Sequence, residues 1–447
     1  MIEPAAQGAL LILGRVLVLC TLAAPVFAQY GGPAILSRGD APTGVVEQQI
    51  SFRPDFEISA IYDTGLAGAA LTTQGQLGNI ASAGLKVSGG ISGNHSWRHT
   101  QLGLSYHGSI NQYAKATYYD GSNQTLMLSL EHQLSRHLLV TFRENAGMLS
   151  TEVTSTALEE AIPYDPSQTI LPATNFVDNR TLFLSTEASL TYQRSTRLSF
   201  RASGSGFLNR RRSSDLAGVT GASADGDIQY RISRRQTIGV DYSFSNYSFT
   251  RIFSGSDVHS LRGSYSARIS KTVEFSGFAG VSRAETKSEQ EVAVNPLIAA
   301  LLGITSGLSI THAISYVPSA SGRLSRTFHN GVAYVSGSRL VVPGNGLFLT
   351  SISATAIAGY SYTGLRNWSF TSNFNFNRST TLGIPGNYGS ASGRLSASHT
   401  IFKTFSAVAS FTASQYESGT YSLYNRLIYD ASVGLGWSPG DIPLRVW

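Results

Sequence analysis

The sequence predicts an all-β protein: a transmembrane antiparallel up-and-down β-barrel of about 18 strands (roughly 16–20), with short periplasmic turns and longer extracellular loops. Polar and apolar residues alternate with a period of two from about residue 50 to residue 437. Short polar connections alternate with longer ones. Charged residues make up only 13% of the chain, and 45 of its 447 residues are glycine. Few charges and many small residues suit strands with one lipid-facing side and one small, polar side.

The alternation is clearest in the segment 368–377. Trp368, Phe370, Phe374 and Phe376 share one face, and Ser, Thr and Asn residues occupy the other. Successive side chains of a β-strand point to opposite faces. We therefore expect the aromatic face to contact lipid and the polar face to point into an enclosed interior.

The connections have a rhythm of their own. Short ones fall near Gly93-Asn94, Ser135-Arg136 and Ser270-Lys271, as part of a series spaced roughly 40 residues apart. Longer ones fall between them, for example at 150–178 and 343–347. This asymmetry is typical of a membrane barrel. A β-solenoid, a propeller and a soluble sandwich fit the rhythm and the low charge less well.

The N-terminal residues predict an export signal. Arg15 precedes a short apolar run, and Val26 and Ala28 match the small or compact residues before a signal-peptidase site. The run is too short to cross a membrane comfortably. We expect four segments: a signal peptide at 1–28, a periplasmic linker at 29–48, the transmembrane barrel at 49–437, and a periplasmic tail or short terminal strand at 438–447.

Composition argues against several classes of function. The formal net charge is +6, but the basic residues are scattered, apart from the run 210–212, so we expect no nucleic acid partner. The only cysteine, Cys20, lies in the predicted signal peptide, which argues against thiol chemistry and disulfides in the mature chain. No nucleophile elbow, phosphate loop or metalloprotease motif is present. We therefore expect no enzyme activity, no metal site and no cofactor.

The C-terminal segment 429–437 places Tyr429, Val433, Leu435 and Trp437 on one face. It resembles the terminal strand of bacterial outer-membrane β-barrel proteins, the porin-like proteins among them, whose alternating pattern ends in an aromatic residue. The resemblance implies that these residues form the assembly signal read by the barrel assembly machinery. It also implies a place in the cell outer membrane of a Gram-negative bacterium, in contact with outer-membrane lipid, and it identifies no subfamily.

Strand parity places charged residues of both signs on the face expected to point inward. The candidate pore-lining residues are Arg143, Arg201, Arg231, Arg268, Arg323, Arg394, Arg426, Glu131, Glu187, Asp241 and Glu274. The same parity also places Glu57, Asp227 and Asp430 on that face. Two interpretations stay open: a lumen laced with salt bridges, and a ring of charge that selects ions.

Two of the longer connections are candidates for a role inside the barrel. Residues 150–178 carry Glu152, Glu159, Glu160 and Asp165 but no Lys or Arg. This segment resembles the inward-folded third loop of general porins, which implies a constriction loop facing Arg143 and Arg201. An exposed acidic surface loop is the alternative. Residues 295–304 predict a short helix that lies in the pore, touches lipid or covers apolar wall.

These observations favour passive transport, in which small hydrophilic solutes diffuse through a porin-like channel. Two other functions stay open: a conduit or accessory barrel for exopolysaccharide export, and a closed structural or adhesive barrel. The expected partners are therefore small hydrophilic solutes or a polysaccharide, and a homo-oligomer is compatible with the pattern.

Overall fold

The computed structural model describes residues 50–71, 77–115, 120–149, 181–212, 216–293, 306–344, 349–382, 386–419, 425–439 and 442–443. The predicted signal peptide and linker lie outside these ranges. Among the described residues, no helix is long and apolar enough to span a membrane. The strands, in chain order, are β1 Ile50–Leu71, β2 Leu77–Ser96, β3 Thr100–Tyr113, β4 Gly121–Ser135, β5 Leu138–Leu149, β6 Thr181–Gln193, β7 Leu198–Arg211, β8 Val219–Ser233, β9 Gln236–Phe249, β10 Ser254–Arg268, β11 Val273–Ala293, β12 Ser306–Phe328, β13 Gly331–Val342, β14 Ser351–Tyr362, β15 Trp368–Thr381, β16 Asn387–Thr400, β17 Phe405–Ser418, β18 Arg426–Trp437 and the two-residue β19 Ile442–Pro443.

The eighteen long strands close into a barrel. Each pairs antiparallel with its neighbours in chain order, and β1 also pairs with β18 from Phe56–Trp437 to Asp63–Asp430. The short β19 extends this seam by pairing with β1 at Ser51 and Phe52. Closure leaves neither the first nor the last long strand as an open sheet edge. The predicted all-β, antiparallel, up-and-down barrel of about 18 strands is confirmed.

The two faces of the sheet differ as the alternation predicts. Large apolar side chains such as Ile228, Val240 and Leu261 are about half exposed on the outside. Inside, small polar residues such as Ser282 and Ser319 are buried against neighbouring strands. A continuous exterior of exposed aliphatic and aromatic side chains suits hydrocarbon and not water. The chain therefore has the fold of a transmembrane β-barrel.

Connections of different length lie at the two ends of the barrel. At one end, where β1 begins and β18 ends, turns such as those at 136–137, 234–235 and 329–330 have two residues. The predicted turn at Gly93-Asn94 was wrong: both residues lie within β2 and pair with β1 and β3. Pairing on both sides outweighs the local turn preference of Gly and Asn.

The hairpin of β11 and β12 is the longest at the opposite end. The two strands have 21 and 23 residues, more than the roughly 9–11 that cross a bilayer at a tilt. β12 pairs with β13 only from Ala320 onward, so its first part extends past its neighbour. On the outer surface of this extension, Glu285 accepts from Arg283 at 3.0 Å and contacts His312 Nε2 at 2.6 Å.

Candidate functional site

The register places every candidate pore-lining residue on the inward face of the barrel. Arg143 on β5 stands directly beside Glu187 on β6. Near the short-turn end, Arg268 Nε donates to Glu274 Oε1 at 3.0 Å. The full inward set comprises Arg143, Arg201, Arg231, Arg268, Arg323, Arg394, Arg426, Glu131, Glu187, Asp241 and Glu274. That these side chains line a conducting path stays a prediction.

Four charged residues lie side by side in one register row across β7–β10. Arg201 pairs with Asp227, Asp227 with Asp241, and Asp241 with Arg262. Arg262 donates from Nε to Asp241 Oδ2 at 2.7 Å, and its Nη2 lies 2.5 Å from the same oxygen. Arg201 Nη2 donates to Glu187 Oε1 at 3.0 Å. Like charges directly opposite each other destabilise a sheet, so the arginines at the ends of the row offset the repulsion between Asp227 and Asp241.

Hydroxyl groups fill the next positions toward the long-loop end. Ser203 Oγ donates to Asp225 Oδ2. The hydroxyls of Ser205 and Ser223 lie 2.7 Å apart, and similar pairs follow around the wall. Small hydroxyl side chains satisfy one another across strands while leaving the interior wide. The wall of β6–β10 therefore presents a polar surface with carboxylates held in fixed positions.

These strands line a cavity of about 250 Å³ inside the barrel. Four carboxylates and two guanidinium groups face it, which leaves a formal charge of −2: Glu187, Asp225, Asp227, Asp241, Arg201 and Arg262. Charged and hydroxyl groups at this density hold water, and a cavity of this size has room for a small polar solute.

Apolar side chains roof the cavity at the long-loop end. Phe207, Tyr247, Phe249, Val258 and Val341 are buried in one cluster. The ring centroids of Phe207 and Tyr247 are 5.9 Å apart. The residues belong to β7, β9, β10 and β13, and β13 is not a neighbour of the other three in the sheet. Ala284 on β11 and Val317 on β12 belong to the same cluster, so it runs continuously along the wall from β7 to β13.

The described residues at the two ends of the β13–β14 connection, 343–344 and 349–350, supply part of this roof. Pro343 is fully buried. Leu349 and Ile352 pack against the apolar cluster. Thr350 Oγ1 and Ser256 Oγ on β10 form a hydrogen bond of 2.5 Å, although β10 and β14 are separated by three strands. These residues narrow the lumen at the long-loop end.

Arg251 links the β9–β10 connection to the β7–β8 connection at the long-loop end of the barrel. Its φ of 69° is in the left-handed region, which non-glycine residues seldom adopt. Its guanidinium donates to the backbone oxygen of Leu216 at 3.3 Å and to that of Arg211 at 3.4 Å. The hydrogen bonds hold the β9–β10 connection against the end of β7, over the same side of the barrel as the apolar cluster.

The far wall of the lumen is basic. Arg323 on β12, Arg394 on β16 and Arg426 on β18 point inward. Arg323 Cζ lies 4.6 Å from the ring centroid of Tyr334. Among the described inward residues of β12–β18, Asp430 is the only carboxylate. The charge of this wall is therefore opposite in sign to that of the cavity.

Asp225 and Arg262 were not predicted from the sequence as candidates, and neither was the contact of Thr350 with Ser256. Arg262 shares parity with Ser260, Ser264 and Ser266, so the alternation in β10 was the signal that could have found it. Nothing in the local sequence shows that Thr350 contacts Ser256 on β10. That contact depends on the closed barrel.

The predicted constriction loop, the predicted helix and the predicted assembly signal all stay predictions. The acidic residues of the predicted constriction loop, Glu152, Glu159, Glu160 and Asp165, and the predicted helix at 295–304 lie outside the described residues, so inward folding there stays a prediction. The predicted assembly residues Tyr429, Val433, Leu435 and Trp437 face outward on β18 and are exposed. Their recognition by the assembly machinery also stays a prediction.

The part of the chain that the structure describes contains no cluster of metal-ligating side chains. Within it, no group of three or more His, Cys, Asp or Glu side chains is placed to hold a metal ion. The cavity with its charged wall is therefore the candidate functional site.

Comparisons with known proteins return structures but no sequence family. No family model matches the chain, and no curated protein matches it. Similar solved structures include Pseudomonas aeruginosa OpdQ (9% identity, 89% of this chain and 98% of that chain, TM-score 0.42) and Acinetobacter baumannii OccAB2 (9%, 89% and 98%, 0.43). A third is P. aeruginosa OccK2 (OpdF) in complex with glucuronate (10%, 88% and 98%, 0.42). With TM-scores below 0.5, these likenesses support no conclusion about this chain.

Proposed function

We propose that the chain is an outer-membrane channel through which small hydrophilic solutes diffuse passively. The observation that carries the proposal is the closed barrel with an apolar exterior and a polar interior that encloses a charged cavity. Hydrocarbon outside and hydrated side chains inside are what a diffusion channel requires. No cofactor takes part, and the contacts of a passing solute would be with hydroxyl, carboxylate and guanidinium groups.

A second function, a closed structural or adhesive barrel, is favoured by the apolar roof. Leu349, Ile352 and Leu382 pack on the buried cluster, and the Ser256–Thr350 hydrogen bond holds Thr350 against β10. An apolar constriction blocks ions by dewetting even where the wall below it is polar. The roof therefore decides between a channel that is open at rest and one that is closed.

Single-channel recording in planar bilayers separates these functions. A channel open at rest gives discrete conductance steps with the wild-type chain, whereas a closed barrel inserts without steps. In the variant L349S/I352S the roof is weakened, so we expect a larger conductance than in the wild type. The variant L308S is a matched control, because Leu308 is 73% exposed on the outer surface of β12.

Two results contradict the channel proposal. One is the absence of conductance from both the wild type and L349S/I352S after insertion has been verified. The other, which contradicts the role of the roof in that channel, is an increase of conductance in L308S equal to that in L349S/I352S. Swelling of vesicles loaded with sugars of increasing size distinguishes diffusion of small solutes from a conduit for a polymer.

We also propose that the barrel assembly machinery recognises the last long strand. The residues that it would contact are the outward Tyr429, Val433, Leu435 and Trp437.

A further inference from the structure

Two arginines stand on the outer surface near the long-loop end of the barrel. Arg339 on β13 and Arg378 on β15 both pair with Ala354 on β14, so the three residues share one register row. Both arginine side chains are exposed. Neighbouring strands lie about 4.8 Å apart, which separates the two Cα atoms by about 10 Å. Two long side chains at that separation reach a single group lying over Ala354.

Neither arginine is neutralised by the protein. In the portion of the chain that the structure describes, no hydrogen bond, ion pair or ring contact is made by Arg339 or Arg378. Other arginines on the outer face are engaged: Arg283 pairs with Glu285 at 3.0 Å, and Arg326 Cζ lies 4.8 Å from the Phe328 ring centroid. A guanidinium at the edge of a hydrocarbon layer is stabilised by an anion, and its fork of donors matches a phosphate.

The surface between this pair and the membrane centre is a shallow apolar groove. Ala356 on β14 and Ala391 and Gly393 on β16 face outward, beside the exposed rings of Phe374 and Phe376 on β15. A Cβ added at Gly393 would meet no atom within 4 Å. Packing within the protein therefore does not require glycine there. Small residues flanking an aromatic ridge leave room for a hydrocarbon chain.

We propose that Arg339 and Arg378 bind the phosphate group of a phosphorylated lipid in the outer leaflet, with an acyl chain lying along the groove. The continuity of the basic pair with the apolar groove is what favours a lipid over free phosphate. Glu417 on β17 lies two strands beyond Arg378 in the same row and bounds the site on that side. The inference rests on the proposed membrane location and not on channel activity, because neither arginine faces the lumen.

Native mass spectrometry of the refolded chain in phosphatidylcholine nanodiscs tests this, with diphosphorylated lipid A added as the probe. The double variant R339Q/R378Q should retain the probe at least about tenfold more weakly, because each contact to a charged group is worth on the order of a factor of ten. The matched control R326Q/R366Q makes the same change in charge near the short-turn end and should retain the probe like the wild type. Equal retention by R339Q/R378Q and the wild type would overturn the inference.

Two further arms identify the source of the phosphate and the role of the groove. Inorganic phosphate alone should not compete with the probe at equal concentration, and equal competition would contradict binding of a lipid. The variant G393L keeps both arginines but fills the groove, so it should retain the probe less well; unchanged retention would contradict the proposed acyl contact. Conductance is recorded for the same variants and should stay at the wild-type value. Failure of the wild-type chain to insert into lipid would instead contradict the membrane location.

Discussion

The two walls of the lumen face each other at similar depth with opposite charge. Asp227 lies six residues before the end of β8, and Arg394 lies six residues before the end of β16. β8 and β16 are eight strands apart in an eighteen-strand ring, so they stand nearly opposite each other. The acidic wall is cross-linked by the Arg262–Asp241 and Arg201–Glu187 pairs. Inward-facing positive and negative side chains are balanced in number along the sequence, but the closed barrel gives its two opposite walls net charges of opposite sign.

The apolar roof adds a second difference between the walls. Phe207, Tyr247 and Phe249 belong to the side of β7–β9, and Thr350, next to the start of β14, forms a hydrogen bond with Ser256 on β10 at the same end of the barrel. The walls therefore differ in packing as well as in charge. A separated pair of charged walls orients a dipolar solute between them.

The largest effect is expected from the roof. In F207A, a buried aromatic ring is removed from the cluster, which should lower the free energy of unfolding by about 4 kcal/mol. F402A is the control, since Phe402 is 70% exposed in a short turn, and its effect should stay within about 1 kcal/mol. Urea unfolding of the barrel in detergent micelles measures both. Equal effects would show that the cluster does not stabilise this side of the barrel.

The next effect comes from the ion pairs of the acidic wall. Arg262 and Asp241 are only 12% and 17% exposed, so R262M leaves a carboxylate largely buried without its partner. The loss should be about 3 kcal/mol. R268M breaks the pair of Arg268 and Glu274, which are 45% and 23% exposed. The free energy of unfolding should fall by less than about 1 kcal/mol. Unfolding midpoints that shift equally in the two variants would contradict the special role of the Asp227–Asp241 row.

A smaller effect concerns ion selectivity. Neutralising a carboxylate of the acidic wall in D225N or D227N should lower the cation-to-anion permeability ratio by roughly twofold, and R394Q on the basic wall should raise it by a similar factor. Reversal potentials in a salt gradient measure the ratio. Shifts of the same sign in D225N and R394Q would show that the two walls do not act on ions in opposite directions.

The smallest effect lies outside the lumen, on the projecting part of β11. The hydrogen bond with His312, followed by that from Arg283, lowers the pKa of Glu285 from its ordinary 4.5. A carboxyl with a lowered pKa stabilises the folded state above its unfolded pKa and loses that contribution as the pH falls through the folded value. The protection factors of the β11–β12 hairpin amides, in which the intrinsic pH dependence of exchange is divided out, should therefore fall in the wild type as the pH drops below about 4.5, and E285Q should abolish this fall. An identical pH profile in E285Q would contradict this account.

Much of the barrel follows from the sequence, because alternation is a local property of each strand. The outward Trp368, Phe370 and Phe374 were predicted from parity alone. Pairing and packing between distant segments were not predictable in this way. Gly93-Asn94 resembles a turn but is held in β2 by neighbours on both sides. The contact of Thr350 with Ser256 joins residues that are 94 positions apart.

The candidate site, too, was only partly predictable from the sequence. Parity predicted that Arg201, Glu187 and Asp241 face inward, since each sits on the polar side of a regular strand. It did not predict that Asp241 and Asp227 become direct neighbours, because register depends on where each turn falls. Arg262 was missed although it closes that row. Charge separation across the lumen is a property of strand order and could be read only from the closed barrel.

Cysteine labelling of adjacent residues on β8 tests most directly whether the polar faces of the strands enclose water while the apolar faces contact lipid. Ser223 faces the cavity and Ala224 is exposed on the outside. In a background with Cys20 replaced by serine, S223C should react with a hydrophilic, charged thiol reagent in lipid vesicles, and A224C should react only with a lipid-soluble one. Equal reaction of both positions with the charged reagent, in a chain shown to be inserted, would contradict this arrangement of the two faces.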